Sequence, residues 1–307
     1  MTDLSTTLAG VKLNNPLVLA SGVRGNNAGL LIRAAMEGAG AVTSKSCSLQ
    51  PREGHPNPTM MQKGDFMLNA IGLSNPGVED EIGEIKEAVA HAGVPVIASV
   101  YGGSAPDFEK TAEMIAQAKP AIIELDASCP NVHREGEMFS SSAQSASGLA
   151  RAVKTRLKAQ AKTASIPLFI KLAPNVPDIG QIALECQKAG ADGITAINTM
   201  PAMWIDVRAR KPVLANQYGG LSGPALLPIA LRCVHAIRKK CSLPIIGGGG
   251  VNSGEDAAAM LMAGANAVSI GSAVYYRRNA FGEIRAELQE FMQEEGFARV
   301  SDIRLEE

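Results

Sequence analysis

The chain has 307 residues, enough for one large α/β domain or two modest ones. Its 29 Lys+Arg against 30 Asp+Glu, with only 4% aromatic residues, exclude the basic footprint and stacking platform of a nucleic-acid binder. Apolar residues make up 46% of the chain but never form a run long enough to span a bilayer, so a soluble protein with a sizeable core and no membrane partner is expected.

The opening stretch, MTDLSTTLAGVKL, lacks the basic start and long apolar run of a secretory signal. Five scattered cysteines (Cys47, Cys129, Cys186, Cys233 and Cys241) form no C-x-x-C pair and suit neither a disulfide framework nor an iron–sulfur site. A cytoplasmic protein is expected.

The first β-rich run is Leu17–Ala20, followed by a helix over Ala28–Glu37 and a second run at Ala41–Lys45. A turn-rich insertion, 46–78, delays the next helix to Glu79–His91. Runs at Pro95–Val100, Ala121–Asp126 and Pro167–Leu172 then alternate with helices over Asp107–Ala118, Ala146–Lys162 and Asp178–Lys188. A sixth run, Gly193–Ile197, leads into a second insertion, 198–224, before a helix over Leu226–Lys240. The order closes with Pro244–Gly247, a helix over Gly254–Met262, the run Ala267–Gly271 and a last helix over Phe281–Glu294.

Most runs are continuously apolar, as in parallel strands covered on both faces. Eight of them with interleaved helices predict a single (β/α)8 TIM barrel over residues 1–307, with insertions after strands 2 and 6. A doubly wound open sheet shares the alternation, but eight strands, no linker and no G-x-G-x-x-G favour the barrel. Helices stop at glycine before the next strand, as at Gly40, Gly190 and Gly264. The insertions are too long for bare loops and are expected to contain small hairpins on the active face.

Polar residues at strand C-termini are the first functional candidates. Lys45, Ser99, Asp126 with Cys129, Lys171 and Asn198 occupy such places, and two lysines at one mouth point to anionic ligand groups. The alternatives are a solvated loop charge for Lys45 and a buried ion pair for Lys171. Strand 7 runs into Gly247–Gly250 and strand 8 into Gly271 and Ser272, where such barrels build a phosphate site; tight turns are the bland alternative. Cys129, in the polar loop Ser128-Cys129-Pro130-Asn131, suits a thiolate base, whereas a cysteine is more often a small buried hydrophobe, the reading kept for Cys186 and Cys233. The four histidines have no metal-ligand spacing, and no metal site is expected.

Taken together, NNPLVLASG (14–22), NPTM (57–60), LNAIGLSNPG (68–77), ELDASCPNV (124–132), PLFIKLAPNVPDI (167–179), ADGITAINT (191–199), GGLSGPALLPIAL (219–231) and the glycine-rich 244–273 resemble the class 1 dihydroorotate dehydrogenases. The similarity is greatest to the catalytic chain of class 1B. It implies oxidation of dihydroorotate to orotate in pyrimidine biosynthesis. The cofactor would be a non-covalent FMN held by Ala20, Ser21, Lys45, Ser46, Ser99, Asp126, Lys171, Ile197, Gly223, Gly249, Gly250, Gly271 and Ser272. Substrate would be held by Lys45, Asn69, Gly72, Leu73, Asn131, Asn198 and Thr199, with Cys129 as the base. The resemblance also implies a homodimer, extended in class 1B to a heterotetramer whose second subunit carries FAD and a [2Fe–2S] cluster and reacts with NAD+. Class 1A relatives use fumarate without that partner.

Three positions depart from the pattern. The family's usual Asn is Asp126 here, its usual Asn at the end of strand 3 is Ser99, and Arg24 in the first loop is unusual. These changes either retune flavin contacts or mark a different ring substrate. The main alternative is therefore a paralogue acting on another cyclic amide such as dihydrouracil; a non-catalytic scaffold or a phosphosugar barrel fits the retained motifs less well.

Overall fold

Why the eight apolar runs become strands is visible in the computed structural model, which describes residues 2–128, 138–161 and 163–306. They are β1 (Leu17–Leu19), β2 (Ala41–Thr43), β3 (Val96–Val100), β4 (Ile122–Asp126), β5 (Leu168–Leu172), β6 (Gly193–Ala196), β7 (Ile245–Gly248) and β8 (Ala267–Ile270). Each pairs in parallel with its sequence neighbours, and β8 pairs with β1 to close the barrel. Nearly every strand residue is buried, because side chains alternate between the barrel interior and the surrounding helices.

The surrounding helices are α1 (Ala28–Met36), α2 (Val78–His91), α3 (Ala105–Ile115), α4 (Ala143–Lys158), α5 (Ile179–Lys188), α6 (Leu227–Arg238) and α7 (Gly254–Met262), then the single turn α8 (Ala273–Tyr276) and α9 (Ala280–Glu294). Side-chain caps fix several starts: Asn27, Ser104, Ser142, Asp178 and Ser253 each accept from the backbone N–H three residues on. The Ser142 cap starts α4 three residues before the expected Ala146. Gly190 and Gly264 take the left-handed stop conformation, with φ of 96° and 111°. At the end of α1 the stop falls at Gly38 (φ 109°) rather than the expected Gly40. Gly40 is instead pressed against the Asn15 carbonyl oxygen, where a Cβ would not fit.

An N-terminal hairpin, Thr6–Leu8 with Val11–Leu13, was not foreseen. Its Leu8 and Leu13 pack with Val18, Ile97, Ile122, Phe169 and Ile246 and close one end of the barrel. The two insertions do contain short strands, and they join. Met60–Lys63 and Phe66–Asn69 form a hairpin, Gly219–Ser222 pairs with Phe66–Asn69, and Met200–Ala202 completes a four-stranded antiparallel sheet. Its small core of Leu68, Ala70 and Leu214 is bordered by Phe66 and Trp204, whose rings lie 5.4 Å apart. Segments 150 residues apart are thereby tied together beside the C-terminal ends of β2 and β6. Among the described residues, no helix is long and apolar enough to cross a membrane.

Candidate active site

Strand ends decide which side chains reach the mouth. Lys45 and Ser46 follow β2, Ser99 lies near the end of β3, Asp126 ends β4, Lys171 lies near the end of β5, and Ile197, Asn198 and Thr199 follow β6. Asp126 stands in register with Lys171, and Lys171 with Thr195, so the three share one side of the barrel.

A row of hydroxyls links β1 to β4. Ser21 Oγ donates to the Ser44 carbonyl at 2.9 Å and lies 3.1 Å from Ser46 Oγ, which lies 2.9 Å from Ser99 Oγ. Ser99 Oγ donates to Glu124 Oε1 at 3.2 Å, and Thr195 Oγ1 donates to Glu124 Oε2 at 2.8 Å. Glu124 is thus a buried anchor that the sequence reading missed. Its signal was a second acid two residues before Asp126 on an otherwise apolar strand, hence on the same face. Ser99 is fully buried, with its hydroxyl between Ser46 and Glu124.

A second cluster surrounds Asp126. Its Oδ1 accepts from Ser128 Oγ (2.6 Å), Ser128 N (3.4 Å) and Asn198 Nδ2 (3.3 Å). Asn198 Nδ2 also donates to Ser128 Oγ at 2.6 Å, while Asn198 Oδ1 accepts from Thr199 N at 2.7 Å. A backbone N–H only donates and a carboxylate only accepts, so the Asn198 amide has one orientation. What it has left for a ligand is acceptor capacity on Oδ1. Lys171 is 9% exposed and has no hydrogen bond or ion pair among the described residues, so the expected alternative of a buried structural pair does not hold there.

The glycines after β7 and β8 are closely packed. Gly249 (φ 127°) lies against Ile197, and Gly250 (φ 85°) packs so tightly that a Cβ would stand 2.5 Å from Leu227 N and 2.9 Å from the Gly223 carbonyl oxygen. Gly271 lies beside Ala20, and Ser272 opens α8. At Gly249 and Gly250 the positive φ and the close contacts leave no room for a side chain. Arg24 spans from the first loop to this region: it pairs with Glu37 at 2.5 Å and donates to the Val274 carbonyl at 3.2 Å.

On the insertion side, Asn69 reaches toward the Gly220 carbonyl at 3.5 Å. Gly72 and Leu73 both have positive φ, 77° and 58°. Three residues that the sequence reading did not single out hold this turn. Arg52 donates to the Gly72 carbonyl (2.8 Å), and Asn75 Nδ2 (2.9 Å) and the Tyr101 hydroxyl (3.3 Å) donate to the Leu73 carbonyl. The N-P-G at 75–77 marked a turn, but nothing local showed what the Asn75 side chain would brace.

Behind Lys45 lies Glu81, on the first turn of α2 and only 1% exposed. Burial, with repulsion from Glu84, pushes its carboxyl up to about 7 against the smaller pull of Ser44 and Lys45. Burial likewise pushes the Cys47 thiol up, with Glu81 adding to it. Cys129, Asn131 and His133 lie outside the described residues. Among the described residues no cluster of His, Cys, Asp and Glu suits a metal ion.

Comparison with known proteins covers nearly the whole chain. The dihydroorotate dehydrogenase family profile matches residues 3–292. The Methanosarcina mazei protein named dihydroorotate dehydrogenase B (NAD(+)), catalytic subunit, is 42% identical over 301 residues, 98% of this chain and 94% of that one. Its counterparts of the same name from Methanocaldococcus jannaschii (42%, covering 95% of this chain and 94% of the relative) and Thermoplasma volcanium (40%, covering 99% and 98%) are similar along their length. A closed eight-stranded barrel and this end-to-end similarity lead to one conclusion: the chain belongs to the dihydroorotate dehydrogenase family.

Proposed function

We propose that the chain is the FMN-dependent catalytic subunit of a dihydroorotate dehydrogenase, oxidising (S)-dihydroorotate to orotate. The observation that carries this reading is the convergence, at one mouth, of a glycine cradle, a nine-tenths-buried lysine without a partner among the described residues, and an amide held in one orientation. The residues present fit the cofactor. The cradle of Gly223, Gly249, Gly250, Gly271 and Ser272 suits a phosphate, and Lys171 offers its charge to the electron-rich edge of a ring system. Ala20, Ser21, Lys45, Ser46, Asp126 and Ile197 would frame the ring. When bound, FMN supplies the two-electron acceptor for the hydrogen leaving C6 of the substrate.

The chain's own residues supply the rest. Cys129 takes the proton from C5 as a thiolate base. Lys45 faces the substrate carboxylate, and Asn69, Asn131 and Asn198 match ring carbonyls and N–H groups, with Gly72, Leu73 and Thr199 alongside. The fixed Asn198 Oδ1 suits a ring N–H. A partner subunit carrying FAD and a [2Fe–2S] cluster would accept the electrons and react with NAD+; the relatives' designation as catalytic subunits supports such a partner. A homodimer of catalytic chains, within a heterotetramer in the cytoplasm, completes the reading.

The test is anaerobic addition of L-dihydroorotate to the FMN-loaded protein, with dihydrouracil in a parallel cuvette. Bleaching by dihydroorotate alone is expected. An intact, chemically reducible flavoprotein that dihydroorotate leaves yellow would refute the assignment.

A further inference from the structure

We infer that Asp126 sets the reduction potential of the bound flavin, holding it lower than an asparagine at the same place would. The inference rests on the FMN reading above and deepens it. Asp126 is 6% exposed, so its charge acts through protein rather than through water. Its Oδ1 is held by Ser128 and Asn198, three donors converging on one oxygen, which is the environment of a carboxylate fixed in place. It does not swing across to neutralise its register neighbour, for Lys171 has no ion pair among the described residues.

Glu124, two residues earlier on the same face, is likewise satisfied by neutral donors, Ser99 and Thr195. Among the described residues, the charged groups on this side of the mouth are Glu124 and Asp126 from β4 and Lys171 from β5, with Lys45 after β2. An asparagine at 126 would leave one acid for Lys171; this chain has two. Reduction adds negative charge to the ring system, and a fixed carboxylate at its edge opposes that charge. The substrate's two electrons still arrive, one C–H leaving as a proton to the base and the other with its electron pair. The equilibrium is simply shifted toward passing them on to the electron-transfer partner.

The experiment is anaerobic spectroelectrochemical titration of the FMN-loaded wild type and Asp126→Asn at one pH, with the dissociation constant of the flavin–sulfite adduct as a second readout. Sulfite adds to the flavin and leaves negative charge on the ring, so it senses the same field without turnover. Expected is a higher potential in Asp126→Asn, at least tenfold in the oxidised-to-reduced ratio or about 30 mV for a two-electron couple, and sulfite bound about tenfold more tightly. If the asparagine variant does not retain flavin, Asp126→Ala carries the same expectation. Equal potentials and equal sulfite affinities would overturn the inference while leaving the flavin reading intact. A wild-type chain that takes up no FMN would overturn both.

Discussion

Glu81 gives this fold a pH dependence that one substitution isolates. Its side chain is 1% exposed, neither carboxyl oxygen has a hydrogen-bond partner among the described residues, and the Ser44 hydroxyl is turned to the Lys45 carbonyl. Burial therefore dominates and raises its pKa from 4.5 to about 7. Below pH 4.5 the group is protonated in both folded and unfolded chains and contributes nothing to the balance. Between 4.5 and about 7 the unfolded chain releases the proton while the folded one keeps it, so stability falls as pH rises. Above 7 the penalty is constant, at about 3 kcal/mol from the difference between the two values. Glu81→Gln keeps the shape and removes the ionisation. The variant carries its own penalty for a buried amide, but that penalty is the same at every pH and cancels in the comparison. Denaturant unfolding of both proteins without FMN, at a series of pH values from 4.5 to 8, is the assay. The wild type is expected to lose about 3 kcal/mol more than the variant across this range. Parallel curves would refute the assignment of the proton to Glu81.

Other perturbations test neighbouring parts of the structure. Gly250→Ala forces a Cβ to 2.5 Å from Leu227 N at a φ of 85°, and is expected to destabilise by about 2 kcal/mol or more and weaken FMN binding at least ~100-fold. FMN fluorescence titration checks it, and wild-type affinity would remove Gly250 from the cradle. Ser99→Asn restores the family's usual residue at a fully buried place and should cost about 1–3 kcal/mol by overpacking against Ser46 and Glu124. A thermal melt equal to wild type would mean that room exists there. Cys47, Cys186, Cys233 and Cys241 are buried, and burial pushes their thiols up, Cys186 to about 12. Alkylation of the native protein at pH 8 should therefore spare these four by peptide mapping, and label on any of them before unfolding would contradict their burial.

What the sequence made legible was whatever a local pattern encodes. Continuous apolar runs marked all eight barrel strands to within about two residues, because strands covered on both faces leave no polar position to blur them. Of the four consecutive glycines, Gly247 and Gly248 end β7 and pack on Met260 and Ser269, while Gly249 and Gly250 take positive φ beyond it. The joined sheet was not legible: Gly220 pairs with Asn69 across 151 residues, and neither stretch signals a partner. Asn75 and Tyr101 were missed for the same reason, as their work is to hold the Leu73 carbonyl, a contact with no local signature. Gly40 shows the opposite failure. Its position after the helix looked like a stop signal, whereas its smallness answers to Asn15, a residue far earlier in the chain.

The departures at Ser99 and Asp126 looked unrelated in the sequence, yet both meet the inward face of β4. Glu124 takes the donors of β3 and β6 through Ser99 and Thr195, and Asp126 takes those of Ser128 and Asn198. These neutral donors are thus committed to the β4 carboxylates. Lys171, on the adjoining strand, keeps its ammonium without an ion pair among the described residues. A buried cation in that condition is unfavourable on its own. The two acids lower that penalty by their field without occupying the donor hydrogens, so the lysine stays available to a ligand that brings acceptor atoms. On this account the serine and the aspartate are one arrangement: the first gives Glu124 a neutral donor, and the second adds charge beside Lys171, which has no ion pair among the described residues.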